Sequence, residues 1–357
     1  MILIVGGGPA GSLSAIALRD RDVTLVEEHQ SAGFPVQCAG LVSENCYKVL
    51  RRYSDCKLNE IRGAIFSSPN KSVELEGRVG GVVIDRRTLD RDLLLKASEN
   101  ANVFVKTKFV GVRGKRAILK GLKNGEIEYD YIVGADGVYS TVSRVFGFER
   151  PKLYSALQFK VRFDCFSEDL VEIYFGFSDY FCYVIPIDEF AEVGVISSQN
   201  PWDVMKRFTR WLGKRVKGDV IEVNAGAIPI GLVNFVKGNV LLLGDSAGMV
   251  KPYTGGGLYY IVKAIEKLSH FPNLERIKEN YLKDLGFEYK VGMKVAKLYG
   301  MLDVEDYDHL IEVAREHHYL AKELDMDRPS TLFKLLPAIF RVVKRRRLLL
   351  KLWRVLS

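Results

Sequence analysis

Two patterns of apolar and polar residues divide this chain. Short, mainly apolar runs lie at 2–5, 23–26, 131–133 and 240–243, and such runs are typical of buried parallel strands. The first run ends in glycines and is followed by a helical pattern over 12–19. The first two runs and this helix therefore predict a βαβ unit, and the two later runs predict further strands.

Between about 153 and 198 the apolar and polar residues alternate instead. Two series of apolar residues recur at every second position: Leu157, Phe159, Val161 and Phe163, then Val171, Ile173 and Phe175. This alternation predicts antiparallel strands with one covered face, and the segments 63–82 and 218–234 also have strand character. Beyond Gly257 the pattern predicts helices, over 257–269, 274–300, 305–324 and 331–355.

These elements predict an α/β protein with two domains that are interwoven in sequence. A Rossmann-like nucleotide-binding domain would be assembled from 1–62, 83–150 and 235–290. An antiparallel-sheet substrate domain would be assembled from 63–82 and 151–234. The remaining residues, 291–357, would form a C-terminal helical region.

Composition and charge narrow the possible functions. The 357 residues are 48% apolar and 27% charged, which excludes a disordered or collagen-like chain. The net charge is +8, and all eight excess basic residues lie within 330–357, where there is no acidic residue. Because the other 44 basic residues equal the 44 acidic ones, the rest of the chain is neutral, which argues against a broad groove for nucleic acid.

The cysteines and the apolar runs indicate the compartment. The five cysteines form no CxxC pair and no zinc-binding spacing. Their number is odd, and Met1 leads directly into the first strand pattern, so we expect reduced thiols in a cytoplasmic protein and no metal site. No apolar run reaches about 18 residues, so no membrane-spanning helix is predicted.

The first glycine turn has the spacing of a dinucleotide site. Gly6, Gly8 and Gly11 satisfy G-x-G-x-x-G between the first strand and its helix. The first would permit a tight turn, the second would let a pyrophosphate approach the backbone, and the third would let the helix pack closely on the strand. Glu27 ends the second strand, where a carboxylate would meet a ribose hydroxyl and repel a 2′-phosphate. FAD or NAD is therefore favoured over NADP.

Two further glycine segments follow strand ends. Gly134-Ala135-Asp136-Gly137 precedes Ser140 and Arg144, whereas Gly244-Asp245 precedes the glycine run Gly255-Gly256-Gly257. Each aspartate is placed to bind sugar hydroxyls, and N–H groups of the glycine run would stabilise negative charge on a reduced flavin. Each segment alone is more often an ordinary turn, but together and in this order they are specific.

In these motifs the chain resembles the flavoprotein family of p-hydroxybenzoate hydroxylase over roughly 1–290. The resemblance implies bound FAD, with Asp245 near the ribityl chain or pyrophosphate and Arg86 as a further contact. From the residues alone, Arg86 is equally a partner in an ion pair at a helix start. The implied cofactor-binding residues are Gly6, Gly8, Ala10, Gly11, Glu27, Cys38, Ala39, Gly40, Arg86, Val110, Asp136, Asp245, Gly257 and Leu258.

Within that superfamily the chain is more similar to the geranylgeranyl reductases, especially the archaeal enzymes that saturate the isoprenoid chains of membrane lipids. The similar segments are Pro35-Val36-Gln37-Cys38-Ala39-Gly40 and the spacing of Ser140 to Arg144. The cysteine segment is about one residue shorter than in the archaeal lipid reductases. The family's Tyr-x-Trp-x-Phe-Pro motif stands here as Phe181-Cys182-Tyr183-Val184-Ile185-Pro186.

The resemblance implies an FAD-dependent reductase of isoprenoid C=C bonds. Cys38 or a bound water would donate the proton, although a free cysteine is more often a small buried apolar residue. Gly255 and Gly256 would stabilise reduced flavin, while Phe181 and Tyr183 would line an isoprenoid tunnel or belong to an ordinary core. The external reductant stays open between NAD(P)H and a ferredoxin-like carrier. The alternatives are an aromatic hydroxylase of the same fold and a non-catalytic flavin- or lipid-binding protein.

The basic tail, 331–357, mixes Leu, Val, Phe and Trp353 with Arg and Lys at helical spacing. Such a helix is typical of an anionic membrane interface, with the indole at the headgroup level. The alternative is a helix that packs on the body with its basic face in solvent. With a lipid substrate, the sequence favours a protein that is peripheral on the inner face of the membrane. The oligomeric state is not predicted.

Overall fold

The computed structural model describes residues 1–36, 38–77, 80–334 and 346–356. One sheet of six strands contains the predicted βαβ unit, and five of its strands are parallel while the strand at one edge is antiparallel. In spatial order the strands are β18 (Val236–Lys237), β19 (Val240–Leu242), β12 (Tyr131–Gly134), β1 (Ile2–Val5), β2 (Val23–Val26) and β8 (Asn102–Phe104).

A second sheet has seven strands and is antiparallel except for one parallel pair, formed by β14 (Leu170–Tyr174) and β5 (Gly63–Ser67). In spatial order its strands are β17 (Val216–Ile230), β13 (Lys152–Phe163), β16 (Phe190–Ser197), β15 (Phe181–Ile187), β14 (Leu170–Tyr174), β5 (Gly63–Ser67) and β6 (Ser72–Leu75). The predicted fold class is confirmed: a Rossmann-like sheet is interwoven in sequence with an antiparallel sheet.

The remaining named strands form two three-stranded sheets. The first contains β3 (Leu41–Ser43), β7 (Gly81–Ile84) and β4 (Lys57–Ile61); the second contains β11 (Gly125–Glu128), β10 (Arg116–Gly121) and β9 (Thr107–Arg113). The predicted boundary at residue 82 cuts through β7. That strand pairs with β3 and β4 and not with the seven-stranded sheet.

Nine α-helices surround these sheets in the described residues. They are α1 (Pro9–Ala17), α2 (Glu44–Leu50), α3 (Arg86–Ser98), α4 (Thr141–Val145), α5 (Pro201–Leu212), α6 (Leu258–Lys267), α7 (Leu274–Tyr299), α8 (Val304–Glu316) and α9 (Arg346–Leu356). The single helix predicted over 305–324 is wrong, because α8 ends at Glu316 and a 3₁₀ helix, His318–Glu323, follows. Of the helix predicted over 331–355, residues 335–345 lie outside the described residues.

In the central strands β14, β15 and β16 of the seven-stranded sheet both faces are covered, contrary to the prediction of one covered face. Leu157 and Val161 pack with α5, which buries Val204 and Phe208. The helix follows from local sequence: the Asn200 side chain accepts the N–H of Trp202, Pro201 occupies the first turn, and Gly213 ends the helix at φ +58°. The opposite face lines a cavity.

The described part of the tail packs on the body, as the alternative reading proposed. Leu348, Leu352 and Val355 of α9 are buried in a cluster with Leu298 of α7 and Val313 of α8. The Lys351 ammonium pairs with the carboxylates of Asp303 and Asp306. In the part of the chain that the structure describes, none of the helices is long and apolar enough to cross a bilayer.

Candidate functional site

The first glycine turn lies at one end of a cavity of about 1000 Å³. Gly6 has φ +104°, and a Cβ there would stand 2.3 Å from the carbonyl oxygen of Ala135. A Cβ on Gly11 would stand 1.9 Å from the carbonyl oxygen of Gly6, so only glycine lets α1 pack this closely. A Cβ on Gly8 would meet nothing within 4 Å. Gly8 itself lines the cavity, where a pyrophosphate would lie.

The carboxylate of Glu27 organises the end of β2. Oε2 accepts the N–H of Gly7 at 2.6 Å, and Oε1 accepts the N–H of His29 at 2.8 Å. The Nδ1 atom of His29 lies 2.7 Å from the same Oε1. Glu27 also lines the cavity, and a carboxylate has lone pairs left for a ribose hydroxyl. The predicted carboxylate is therefore beside the glycine turn.

The two aspartates after strand ends differ in their partners. Asp136 caps α4, because its carboxylate accepts the N–H groups of Thr141 (2.7 Å) and Val142 (3.0 Å) and the Ser140 hydroxyl (2.5 Å). Burial raises the pKa of Asp136. Burial also raises the pKa of Asp245, which the guanidinium of Arg86 partly opposes. Both aspartates line the cavity.

Arg86 makes the ion pair at a helix start that the sequence allowed, and it also lines the cavity. Its guanidinium makes a two-pronged ion pair with Asp90, in which Nε and Nη2 each donate across 2.9 Å. The same residue lines the cavity beside Cys38. Burial opposes the charged form of Arg86, but its interactions with Asp90 and Cys38 outweigh burial and raise its pKa.

Cys38 lines the cavity on a loop that Gly40 shapes. Gly40 has φ +75°, and a Cβ there would stand 2.3 Å from the carbonyl oxygen of Ile84. The N–H of Gly40 points at the Cys38 sulfur, at 3.4 Å. Across the cavity, Gln158 donates from Nε2 to the Cys38 carbonyl oxygen at 3.4 Å and accepts the Tyr183 hydroxyl at 2.9 Å. A sheet residue therefore holds the cysteine loop.

The late glycine run turns the chain into α6. Gly255 has φ +76°, and a Cβ there would stand 3.0 Å from Ile228. Gly255, Gly256, Gly257 and Leu258 all line the cavity. The run thus presents backbone next to the same space as the first glycine turn.

The rest of the cavity wall is apolar and comes largely from the seven-stranded sheet. Phe181 and Tyr183 line it. Tyr183 lies across Gly194, where a Cβ would stand 2.0 Å from the ring. Burial raises the pKa of Tyr183. The other apolar sheet residues at the wall are Ala64, Phe66, Leu75, Val171, Ile173, Phe175, Ile185, Ile196 and Ile228.

Two predicted cofactor residues do not reach the cavity. Gly11 is in the helix behind the glycine turn, and Val110 is half-buried on β9, whereas its neighbours Lys108 and Phe109 do line the cavity. The other predicted site residues, including Ala10 and Ala39, line it. The sequence prediction missed Gln158 and Lys251. Gln158 is a polar residue between apolar neighbours in a predicted strand, which was the available signal.

The lining residues fit FAD. The open turn at Gly8, the carboxylate of Glu27 and the half-buried Asp245 line the same cavity as the apolar sheet wall. Among the described residues there is no cluster of His, Cys, Asp and Glu that would hold a metal ion.

Known proteins with this arrangement define its family. No protein-family model matches the chain. The chain is 31% identical over 361 residues to an uncharacterized protein of Methanocaldococcus jannaschii, covering 93% of each. It is 30% identical over 356 residues to digeranylgeranylglycerophospholipid reductase 2 of Methanothermobacter thermautotrophicus, covering 87% of this chain and 90% of that one.

A solved structure has the same fold. The geranylgeranyl bacteriochlorophyll reductase-like protein of Thermoplasma acidophilum superposes with a TM-score of 0.80 at 22% identity, covering 95% of this chain and 98% of that one. The resemblance in the motifs is confirmed by the full-length sequence match. The chain therefore belongs to the geranylgeranyl reductase family of FAD-dependent oxidoreductases.

Proposed function

We propose that this protein uses FAD to saturate C=C bonds in the geranylgeranyl chains of membrane lipids of the digeranylgeranylglycerophospholipid type. One observation carries the proposal. The apolar face of the seven-stranded sheet forms a wall of the same cavity into which the glycine turns and Cys38 open. A long hydrocarbon chain would therefore lie against the sheet while part of it reaches the cofactor.

The wall suits a branched hydrocarbon. Phe175, Phe181 and Tyr299 contact one another with ring centroids 5.6–6.5 Å apart. Such a surface binds an isoprenoid through burial of apolar area, about 25 cal/mol per Å², and excludes water from the reacting carbons. The few polar side chains at this wall, Gln158 and Tyr183, hydrogen-bond each other.

Saturation of an isolated alkene requires a hydride on one carbon and a proton on the other. When bound and reduced by an external electron donor, FAD would supply the hydride. Because the alkene carries no electron-withdrawing group, the proton must come from a placed donor, and we propose the Cys38 thiol or a water beside it. Gln158 holds the carbonyl of Cys38 and so fixes the loop that carries the thiol.

The proposal assigns the cofactor contacts to residues that line the cavity. Gly6, Gly8 and Glu27 would hold the pyrophosphate and ribose, with Asp136 and Asp245 at the sugar and ribityl hydroxyls. The N–H groups of Gly255 and Gly256 donate to Lys251 and Thr254, so the negative charge of reduced flavin would instead be stabilised by the N-terminal end of α6 at Gly257 and Leu258. The electron donor would be NAD(P)H or a ferredoxin-like carrier.

We also propose a peripheral position on the inner face of the cytoplasmic membrane. The outward face of α9 carries Leu350 and Trp353, which are 51% and 64% exposed, beside Arg347 and Arg354. Apolar and basic side chains on one exposed face support binding to an anionic lipid surface.

An anaerobic assay with a polyprenyl glycerophospholipid and NAD(P)H or dithionite tests the proposal. We expect loss of double bonds by mass spectrometry, with two hydrogens gained for each. Strict dependence on O2 with a gain of oxygen would instead identify an aromatic-hydroxylase type of chemistry. FAD that no donor reduces would indicate a binding protein.

A further inference from the structure

A buried ion pair that the proposed chemistry does not use lies beside the late glycine run. The Lys251 Nζ is 3.0 Å from Oδ1 of Asp327 and donates to the carbonyl oxygen of Met326 at 3.3 Å. The side chains are 8% and 1% exposed. Oδ2 of Asp327 is also buried, and no described residue offers it a hydrogen bond.

Lys251 lies directly against the backbone that faces the cofactor space. A Cβ on Gly256 would stand 3.2 Å from Cε of Lys251 and 3.7 Å from its Nζ. The N–H of Lys251 donates to the Gly256 carbonyl at 3.0 Å, and the N–H of Gly255 donates to the Lys251 carbonyl at 2.9 Å. Lys251 itself lines the cavity, so its positive charge is held beside the glycine run.

Asp327 comes from a different part of the chain, the segment 324–332, which closes one side of the cavity. Three contacts anchor this segment. The Tyr253 hydroxyl donates to the Met326 carbonyl at 2.5 Å, Arg328 pairs with Asp284 at 3.0 Å, and the Ser330 hydroxyl donates to Glu288 at 2.7 Å. The counter-charge is therefore fixed relative to Lys251.

We propose that the Lys251–Asp327 pair sets the reduction potential of the bound FAD. The inference rests on the FAD part of the proposed function. Burying two charges is costly and contributes little net stability, so stability alone does not account for the pair. Reduced flavin is more negative than oxidised flavin, so Lys251 stabilises it, and Asp327 cancels part of that effect.

The two charges predict shifts of opposite sign. Lys251→Met removes the positive charge and lowers the midpoint potential. Asp327→Asn removes the negative charge, leaves the charge of Lys251 uncompensated and raises the midpoint potential. The double variant returns towards the wild-type value. A tenfold change in the two-electron reduction equilibrium corresponds to about 30 mV, and we expect each single variant to shift the potential by at least about that amount.

The test is a spectroscopic redox titration of the FAD-loaded, full-length protein against reference dyes, without lipid. Lys251→Arg keeps the charge and should retain the wild-type potential. The matched control is Glu172→Gln, which breaks the pair of Glu172 with Arg215 on the opposite face of the sheet and should leave the potential unchanged. Shifts of opposite sign support the proposal; no shift, or two shifts of the same sign, would overturn it.

A failure of either proposal can be recognised separately. If Lys251→Met does not retain FAD, Asp327→Asn decides alone, and an unchanged or lowered potential overturns the inference. Because lipid is absent from the titration, opposite shifts in a protein that saturates no lipid would refute the lipid reductase and keep the role of the pair. Lipid reduction by the wild type together with unchanged midpoint potentials in the variants would keep the lipid reductase and refute the role of the pair.

Discussion

Gln158 donates a hydrogen bond from Nε2 to the carbonyl oxygen of Cys38, 120 residues away in sequence, at 3.4 Å. Its other amide atom, Oε1, accepts the Tyr183 hydroxyl at 2.9 Å. The sheet that forms the apolar wall therefore also holds the loop of the candidate proton donor. This contact joins the two halves of the proposed chemistry, hydrocarbon binding and proton transfer.

Replacing Cys38 separates these two halves. Cys38→Ala should retain FAD and lipid binding and lose alkene reduction by about 100-fold or more, the usual contribution of a placed general acid. Turnover and the flavin absorption spectrum are the measurements. Cys165→Ala is the control, because Cys165 packs against the α5 side of the sheet. Full activity of Cys38→Ala would assign the proton to water.

The open space over Gly8 tests the cofactor site. Gly8 has φ −70°, and its added Cβ would meet nothing within 4 Å. Gly8→Ala should therefore change the free energy of unfolding of FAD-free protein by less than about 1 kcal/mol. It should weaken FAD binding about tenfold or more, because the methyl group occupies the place of the pyrophosphate.

The control for this substitution is Gly111→Ala on β9, where an added Cβ also meets nothing within 4 Å. FAD affinity should be unchanged there. Equal FAD affinity in Gly8→Ala and the wild type would show that the pyrophosphate lies elsewhere.

Glu192 predicts a pH dependence of stability. Burial raises its pKa from 4.5 to about 7, and its Oε2 has no hydrogen-bond partner among the described residues. Between these values the folded protein holds a proton that the unfolded chain releases. The stabilisation is therefore complete below pH 4.5 and is lost as the pH rises through about 7. It amounts to roughly 3 kcal/mol.

Urea unfolding across this pH range checks the prediction. Glu192→Gln should flatten the fall in the free energy of unfolding. Glu189→Gln, an exposed neighbour that pairs with Arg162, should keep it. An identical slope in Glu192→Gln and the wild type would assign the slope to other groups.

The exposed face of α9 predicts binding to anionic membranes. Trp353→Ser combined with Arg354→Gln should reduce sedimentation with vesicles that contain phosphatidylglycerol, and high salt should do the same. FAD should stay bound. These substitutions spare Leu348, Leu352 and Val355, which pack on the body, and so avoid the destabilisation that deletion of 331–357 would cause. Trp202→Ser on α5 is the control and should bind these vesicles as the wild type does. Unchanged vesicle binding after the Trp353 and Arg354 substitutions would show that the tail does not bind the membrane.

Local sequence predicted the parts of the fold that depend on neighbours in the chain. The βαβ unit, the glycine turns and Glu27 follow from short motifs whose geometry glycine and strand length determine. The helix α5 and the strands β9, β10 and β11 were not predicted. In these strands charged residues stand between the apolar ones and much of the surface is exposed, so the apolar pattern is weak.

Long-range contacts could not be predicted from one sequence. The hydrogen bond of Gln158 to Cys38 spans 120 residues, and the ion pair of Lys251 with Asp327 spans 76. Only the folded sheet and the C-terminal segment bring these residues together. The single covered face expected for the antiparallel strands was wrong for the same reason. The helix α5 packs on one face of the central strands, and their other face lines the cavity.

A single-turnover experiment tests the central claim most directly. The FAD-loaded protein is reduced with dithionite, freed of excess reductant and mixed without O2 with a digeranylgeranyl glycerophospholipid. We predict that the absorption of oxidised flavin returns and that one double bond is saturated for each flavin oxidised. Flavin that stays reduced until O2 is admitted, with the lipid unchanged, would contradict the assignment as an isoprenoid reductase.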